Sequence, residues 1–123
     1  MQAARQAEVK RLLGECRRAV LERDFEALAR GSELDCHLMH AVMMTSSPPL
    51  FYWQPATLTI MQAVRAWRRG GLPAFYTIDA GPNVHVICEA GVAAQVKERL
   101  GEISGVSKVL IAYPGGPARL EIR

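Results

Sequence analysis

The sequence has 123 residues, which is enough for one domain with its own core and short for a two-domain enzyme. Hydrophobic residues make up 50% of it, and 15 Lys and Arg against 12 Asp and Glu give a net charge of +3. The basic side chains are scattered without interleaved aromatics, which argues against a nucleic-acid-binding surface. No run of about 18 apolar residues occurs and the N-terminus is polar, so the sequence predicts neither a membrane span nor a signal peptide. We therefore expect a cytoplasmic protein.

Helical periodicity covers the first part of the chain. Residues 2 to about 22 carry apolar side chains at intervals of three and four, which predicts an amphipathic helix. Asp24 can cap a second helix, which ends before Pro48 and Pro49 because proline cannot continue a helix. One apolar stripe of the second helix contains Phe25, Leu28, Ala29, Ser32, Cys36, Met39, His40 and Met43, and the other contains Leu34, Leu38 and Val42. A helix that is apolar on two sides is expected to be covered on both.

A third helix is predicted from Pro55 to the glycines at 70 and 71, because proline is favoured in the first turn and glycine after the last. Three arginines, Arg65, Arg68 and Arg69, lie near its C-terminal end. Cations complement the carbonyl end of a helix dipole, so we expect these three side chains to be solvated.

The period changes from helical to alternating after this helix. Residues 74–79 and 83–88 predict two antiparallel strands joined by a Gly-Pro turn, and apolar positions between 92 and 103 predict a fourth helix. Residues 108–113 predict a third strand, and residues 119–122 are a candidate for a short last one. The predicted fold class is therefore α+β, an antiparallel sheet of three to four strands covered by about four helices in a single domain.

The three cysteines have no Cys-x-x-Cys spacing, which is typical of reduced thiols in a core rather than of a disulfide framework. Cys36, His37 and His40 lie close enough on the second helix to suggest metal ligands. A structural tetrahedral site takes four protein donors, and no second cluster supplies the rest. The sequence therefore predicts no metal site in this chain.

The stretch TIDAGPNVHV, residues 77–86, places an acid at the end of a predicted strand. Asp79 has two interpretations: it forms a turn by bonding backbone N–H groups two residues on, or it presents a carboxylate to a ligand. The second interpretation gives Gly81 the role of letting the ligand approach the backbone. His40 likewise is either a hydrogen-bonded core residue or a support for this loop. Local chemistry leaves these alternatives open.

Three segments occur in one order along the chain: ELDCHLMHAVMMTSSPPLFYW at 33–53, YTIDAGPNVHV at 76–86 and IAYPGGPARL at 111–120. Their most specific pieces are Met-His-Ala at 39–41, followed by Pro-Pro and an aromatic, and Asp-Ala-Gly-Pro-Asn at 79–83. Together they resemble the C-terminal domain of mevalonate diphosphate decarboxylases. These enzymes belong to the superfamily of galactokinase, homoserine kinase and mevalonate kinase. The resemblance covers nearly the whole chain.

The resemblance implies a ferredoxin-like C-terminal domain, with residues 1–123 forming one part of a larger two-domain enzyme. ATP and Mg²⁺ would be bound mainly by an N-terminal domain that is absent here, so this piece would be inactive alone. The family phosphorylates the tertiary hydroxyl of mevalonate 5-diphosphate and then releases carbon dioxide and phosphate, which gives isopentenyl diphosphate for isoprenoid synthesis.

The family's catalytic aspartate corresponds to Asp79, whose carboxylate would orient or deprotonate the hydroxyl of the substrate. The backbone at Ala80 and Gly81 would lie against this small molecule. His40 and Asn83 are the candidates for supporting the loop.

Two alternative functions stay open. Thr45, Gln54 and Pro55 depart from residues common in eukaryotic members, which leaves a mevalonate 5-phosphate decarboxylase or a mevalonate-type kinase as alternatives. From another functional class, the chain would be a stand-alone module that binds a small molecule or dimerises, with Asp79 reduced to a turn residue. A homodimer is also an option for the enzyme.

Overall fold

Four α-helices and one pair of strands form within residues 1–122, the part of the chain that this computed structural model describes. The elements are α1 (Gln2–Glu22), α2 (Phe25–Met44), α3 (Pro55–Arg69), β1 (Ala74–Thr77), β2 (His85–Cys88) and α4 (Ala93–Gly101), with a 3-10 turn at Ala90–Val92 before α4. The predicted α+β class and the predicted order of helices are therefore confirmed.

The ends of the helices follow local chemistry. The Asp24 carboxylate accepts a hydrogen bond of 3.0 Å from the backbone N–H of Ala27, so it caps α2 as predicted. Pro55 occupies the first turn of α3, where its missing N–H has no helical partner to lose, and Gly70 follows the last residue. These boundaries were predictable because each depends on residues within one turn of the helix end.

The two strands pair antiparallel, as predicted, and are shorter than the alternating pattern suggested. Ala74 lies opposite Cys88 and Thr77 opposite His85. Helices α2 and α3 pack against β1, and the buried core contains Cys36, Met61, Val64, Leu72, Ala74, Tyr76, Ile78, Val96 and Leu100. Both helices cover β1. The chain leaves the core just after this strand, because Ile78 is buried whereas Asp79 and Ala80 are exposed.

The predicted third and fourth strands do not form among the described residues. Residues 106–122 adopt no regular secondary structure, and the side chains of Leu110 and Tyr113 are 77% and 73% exposed. Val109 alone of this stretch packs against the core. An alternating pattern predicts which face of a strand is apolar, but a strand also requires a neighbouring edge to accept its backbone hydrogen bonds. Within residues 1–122, neither β1 nor β2 forms backbone hydrogen bonds with this segment.

The prediction of three solvated arginines at the end of α3 is wrong for Arg68. Its guanidinium donates to both carboxylate oxygens of Glu33, at 2.6 and 2.8 Å, and to the Ala74 carbonyl at 3.0 Å. The two side chains are only 12% and 7% exposed. Hydrogen bonding to Glu33 raises the pKa of Arg68 above its usual value, and the pair joins α2, α3 and the start of β1.

Among residues 1–122, no helix combines the length and the apolar character that a bilayer crossing requires.

Candidate functional site

Asp79 lies two residues beyond β1, at the start of the turn formed by residues 79–83. Its side chain is 85% exposed, and its Oδ2 lies 3.9 Å from Nε2 of His85, which is itself 62% exposed. A contact between two side chains that is this exposed and this long is weak. Within residues 1–122 the Asp79 carboxylate makes no hydrogen bond to a backbone N–H, which is the bond that the turn-forming interpretation requires. The carboxylate therefore points to solvent with its oxygens accessible.

The turn beside Asp79 requires glycine for its backbone conformation. Gly81 has a φ of +153°, which side chains other than hydrogen rarely allow, and a Cβ built on it would meet no atom within 4 Å. The space above the backbone at Gly81 is therefore open. Ala80 and Asn83 are also exposed, and among the described residues the Asn83 side chain makes no hydrogen bond. This surface is accessible to a molecule that approaches Asp79.

His40 holds the end of the strand immediately before Asp79. The ring is 2% exposed, and its Nε2 lies 3.1 Å from the carbonyl oxygen of Ile78. Because a carbonyl oxygen can only accept, Nε2 carries the hydrogen and donates it. The ring also packs against Trp53, with centroids 5.0 Å apart. His40 is therefore a buried, hydrogen-bonded histidine, and its bond is to the residue next to Asp79. Its role in supporting the loop stays a prediction.

The same carbonyl receives a second, weaker donor from Cys36. Its Sγ lies 3.7 Å from the Ile78 oxygen. Burial raises the pKa of the Cys36 thiol, so the sulfur keeps its hydrogen at neutral pH and can donate it. Two side chains of α2 therefore fix the backbone one residue before Asp79. The sequence indicated only that Cys36 was a core thiol.

Thr57 anchors the other side of the turn, a contact that the sequence did not reveal. Its Oγ1 donates to the Pro82 carbonyl at 2.9 Å and accepts from the backbone N–H of Gln54 at 3.1 Å. The position of Thr57 in the first turn of α3 could be predicted from the sequence. Its contact with Pro82 could not, because the two residues are 25 positions apart and no periodicity links them.

Of the three residues that suggested a metal ligand set, His37 faces a different partner from the other two. Cys36 and His40 both face the Ile78 carbonyl, whereas the Nε2 of His37 lies 2.7 Å from the hydroxyl of Tyr76. Burial lowers the pKa of His37 and raises that of Tyr76 to about 12. A neutral ring with its hydrogen on Nδ1 can accept the phenol hydrogen at Nε2. Residues 1–122 contain no group of three or more His, Cys, Asp or Glu side chains placed to hold a metal ion, and the predicted lack of a metal site stays a prediction.

Two of the surface cavities are not lined by the turn at 79–83. One, of about 310 Å³, lies between α2 and α3 beside His37 and Tyr76. The other, of about 480 Å³, lies between α1, α2 and the sheet. Binding sites for small molecules are usually concave and bury most of the ligand. Asp79 lies instead on an open surface, which can form only one wall of such a site.

A family model described as "Mevalonate 5-diphosphate decarboxylase C-terminal domain" matches residues 1–115. The chain is 38% identical over 71 residues to the diphosphomevalonate decarboxylase of Ganoderma lucidum, covering 53% of this chain and 18% of that protein. It is 29% identical over 118 residues to the phosphomevalonate decarboxylase of Haloferax volcanii, covering 95% of this chain and 36% of that protein.

A solved structure described as "MDDEF in complex with MVAPP, AMPPCP and Magnesium" superimposes with a TM-score of 0.78 at 31% identity. The match covers 85% of this chain and 32% of that one. The chain therefore spans between about a fifth and a third of the length of the proteins it matches.

Proposed function

The chain belongs to the mevalonate 5-diphosphate decarboxylase family as a C-terminal domain, and from this premise we propose that it supplies the substrate-side wall of an ATP-dependent decarboxylase. The proposed reaction converts mevalonate 5-diphosphate to isopentenyl diphosphate, with release of carbon dioxide and phosphate. The match with the family model over residues 1–115 and the relatives of that name support this activity.

One observation carries the assignment of Asp79 as the catalytic residue. Its carboxylate is 85% exposed, while the backbone on both sides of it is anchored by buried side chains, His40 at Ile78 and Thr57 at Pro82. An aspartate that only shapes a turn has its side chain bonded to that turn. Here the turn is held by other residues, and the carboxylate remains accessible to a ligand.

The chemistry proposed for Asp79 is acceptance of a hydrogen from the tertiary hydroxyl of the substrate. A carboxylate in hydrogen-bonding reach of that hydroxyl orients its oxygen toward the phosphoryl donor and takes up its proton. The backbone at Ala80 and Gly81 lies against the substrate, where the open space above Gly81 permits close approach. His40 supports the loop at residues 79–83 from the side of Ile78. Asn83, at the other end of the loop, is the second residue proposed to support it.

We propose that ATP and Mg²⁺ bind mainly in an N-terminal domain, which makes the enzyme a two-domain protein. ATP, when bound, supplies the phosphoryl group that converts the hydroxyl into a leaving group. A related structure is described as holding AMPPCP and magnesium, and its chain is about three times as long as this one. Phosphoryl transfer depends on positioning and on charge stabilisation, and residues 1–122 contribute no cluster of metal ligands.

We also propose that residues 108–113 form a third strand in the complete protein, within a sheet of three to four strands. The alternating apolar pattern and the packing of Val109 against the core support this. The unpaired backbone of this segment would pair with residues outside the described chain.

The exposed apolar side chains would also suit a homodimer. The cytoplasmic location stays a prediction from the sequence.

A second candidate activity is decarboxylation of mevalonate 5-phosphate. The relative from Haloferax volcanii bears the name phosphomevalonate decarboxylase, and its match covers 95% of this chain. Assays of the complete enzyme with mevalonate, its monophosphate and its diphosphate, following both ADP and carbon dioxide, separate the two activities. Release of ADP without carbon dioxide would identify a kinase instead.

The test of Asp79 is its replacement by asparagine in the complete enzyme. Asparagine keeps the shape and the turn preference of aspartate but cannot take up the proton. Loss of a general base costs about 100-fold or more in rate, or about 2.7 kcal/mol of barrier. We expect Asp79→Asn to lower turnover by at least about 100-fold with little change in the melting temperature.

Asp24→Asn is the matched control for Asp79→Asn. Asp24 caps α2, and asparagine is as good a helix cap as aspartate, so turnover and stability should both be retained. An Asp79→Asn enzyme whose turnover stays within about threefold of the parent contradicts the catalytic role, because a missing base has a larger effect.

A further inference from the structure

Thr57 is a buried polar residue whose hydroxyl both donates and accepts a hydrogen bond. It is 2% exposed, and its Oγ1 donates to Pro82 while accepting from the backbone N–H of Gln54. The second bond belongs to the N-terminal turn of α3. The first bond crosses to the turn that follows Asp79. A single oxygen therefore connects the start of a helix to the loop at residues 79–83.

The loop has few other attachments. The strand ladder ends at the pair of Thr77 and His85, and among the described residues no backbone hydrogen bond outside the ladder involves residues 78–84. Among the described residues, the side chains that hold the segment between them are His40 and Cys36 at the Ile78 carbonyl and Thr57 at the Pro82 carbonyl. The loop is thus tied at one end to α2 and at the other to α3.

We infer that Thr57 is a positioning residue that fixes the direction of the Asp79 carboxylate through the Pro82 carbonyl. With the α2 anchor alone, the chain beyond Ile78 can rotate about the backbone of residues 79–81, where Gly81 offers little resistance. The hydroxyl of Thr57 removes that freedom by fixing Pro82 at the far end. This inference rests on the proposed function, since it assigns Asp79 the role of accepting a proton.

The magnitude of the effect follows from geometry. A displacement of about 1 Å at a reacting group can cost about 100-fold in rate. Valine has the shape of threonine without its hydroxyl, so Thr57→Val leaves the packing volume in place and removes the anchor. We expect turnover to fall between about 10-fold and 100-fold, and KM to change by a smaller factor, because the anchor acts on the direction of the reacting carboxylate.

Two further variants separate positioning from general stability. Thr57→Ser keeps the hydroxyl and loses the methyl group, so it should restore turnover to within about threefold of the parent even though its melting temperature falls. Thr59→Val is the matched control: Thr59 lies on the same helix, is exposed, and bonds only to the Pro55 carbonyl at 3.0 Å. It should keep full turnover.

A second readout does not depend on catalysis. Backbone amide order parameters of Ala80, Gly81 and Asn83, measured by NMR on the complete enzyme, should be lower in Thr57→Val than in the parent and unchanged in Thr59→Val, because losing the anchor loosens this loop. The proposal is overturned if Thr57→Val turns over like Thr59→Val, or if Thr57→Ser is as slow as Thr57→Val.

Asp79→Asn, measured in parallel, distinguishes the two claims. If Asp79→Asn loses activity and Thr57→Val does not, the positioning role fails and the proposed function stands. If Asp79→Asn keeps full turnover, the catalytic role proposed for Asp79 fails, and the order parameters of Ala80, Gly81 and Asn83 decide whether Thr57 holds the turn.

Discussion

His37 and Tyr76 share a hydrogen bond of 2.7 Å in the cavity between α2 and α3. Burial lowers the pKa of His37 from its usual 6.5, so the folded chain takes up this proton at a lower pH than the unfolded chain does. Between the two pKa values the unfolded state binds more protons, and stability therefore falls as the pH is lowered below about 6.5. The contribution is fully present above that value.

We predict that replacing His37 by glutamine weakens this pH dependence. Glutamine has an oxygen that can accept the phenol hydrogen of Tyr76, but it does not titrate. Urea unfolding midpoints of the chain at pH 7.5 and pH 5.5, followed by tryptophan fluorescence, should differ less for His37→Gln than for the parent. His85→Gln, at an exposed position, is the control and should keep the parent's dependence. An unchanged slope in His37→Gln would count against burial of His37 as its source.

At the scale of elements, the pair of Glu33 and Arg68 joins α2 to α3 and to β1. Removing one partner of a buried ion pair leaves the other charge unpaired, which typically costs about 3–5 kcal/mol. We predict that Glu33→Gln lowers the free energy of unfolding by about 3 kcal/mol. This is the low end of the range, because Arg68 keeps the Glu26 carboxylate at 3.5 Å and the amide oxygen can still accept one hydrogen bond. Urea unfolding at low protein concentration measures the loss.

Two comparisons check the origin of this effect. Replacing both residues by methionine removes both buried charges, so the double variant should be clearly more stable than Glu33→Gln. Glu15→Gln removes a partner of the exposed pair with Arg11 and should leave the midpoint unchanged. If Glu33→Gln and Glu15→Gln have the same midpoint, the pair of Glu33 and Arg68 does not hold the helices together.

The elements also explain which features the sequence could reveal. Asp24 and Pro55 mark helix ends through bonds within one turn, so they were predictable. Glu33 and Arg68 are 35 positions apart in the sequence, and Thr57 and Pro82 are 25 positions apart. A periodic pattern predicts which face of an element is buried, but it does not predict which residues pack against that face. Asp79 and His40 were singled out through a resemblance, whereas the contact of Thr57 with Pro82 required the fold.

For the molecule as a whole, the exposed Asp79 carboxylate and the exposed apolar side chains both indicate surfaces that contact another part of the enzyme. Asp79 does not line either of these cavities, and it lies on the surface that we propose as one wall of a site. Large apolar side chains are exposed at Leu13 and Leu21 of α1, at 68% and 74%, and at Leu110 and Tyr113 beyond α4. Exposed apolar patches of this kind mark surfaces that contact a partner. In the complete enzyme we expect the remaining chain to provide that partner.

We predict that the 123-residue chain made alone associates with itself and binds ATP no more tightly than the millimolar range, roughly −4 kcal/mol. Association follows because α1 and the segment beyond α4 leave apolar side chains in water, and weak binding follows because one open wall does not desolvate a ligand. Sedimentation across a range of concentrations should show species larger than a monomer, and calorimetry should show no saturable binding at micromolar ATP. Changing Leu110 and Tyr113 together to lysine should reduce association, whereas Lys108→Glu, in the same segment, should not. A single monomeric species at the highest concentration, or micromolar affinity for ATP, would show that the described residues form a complete unit.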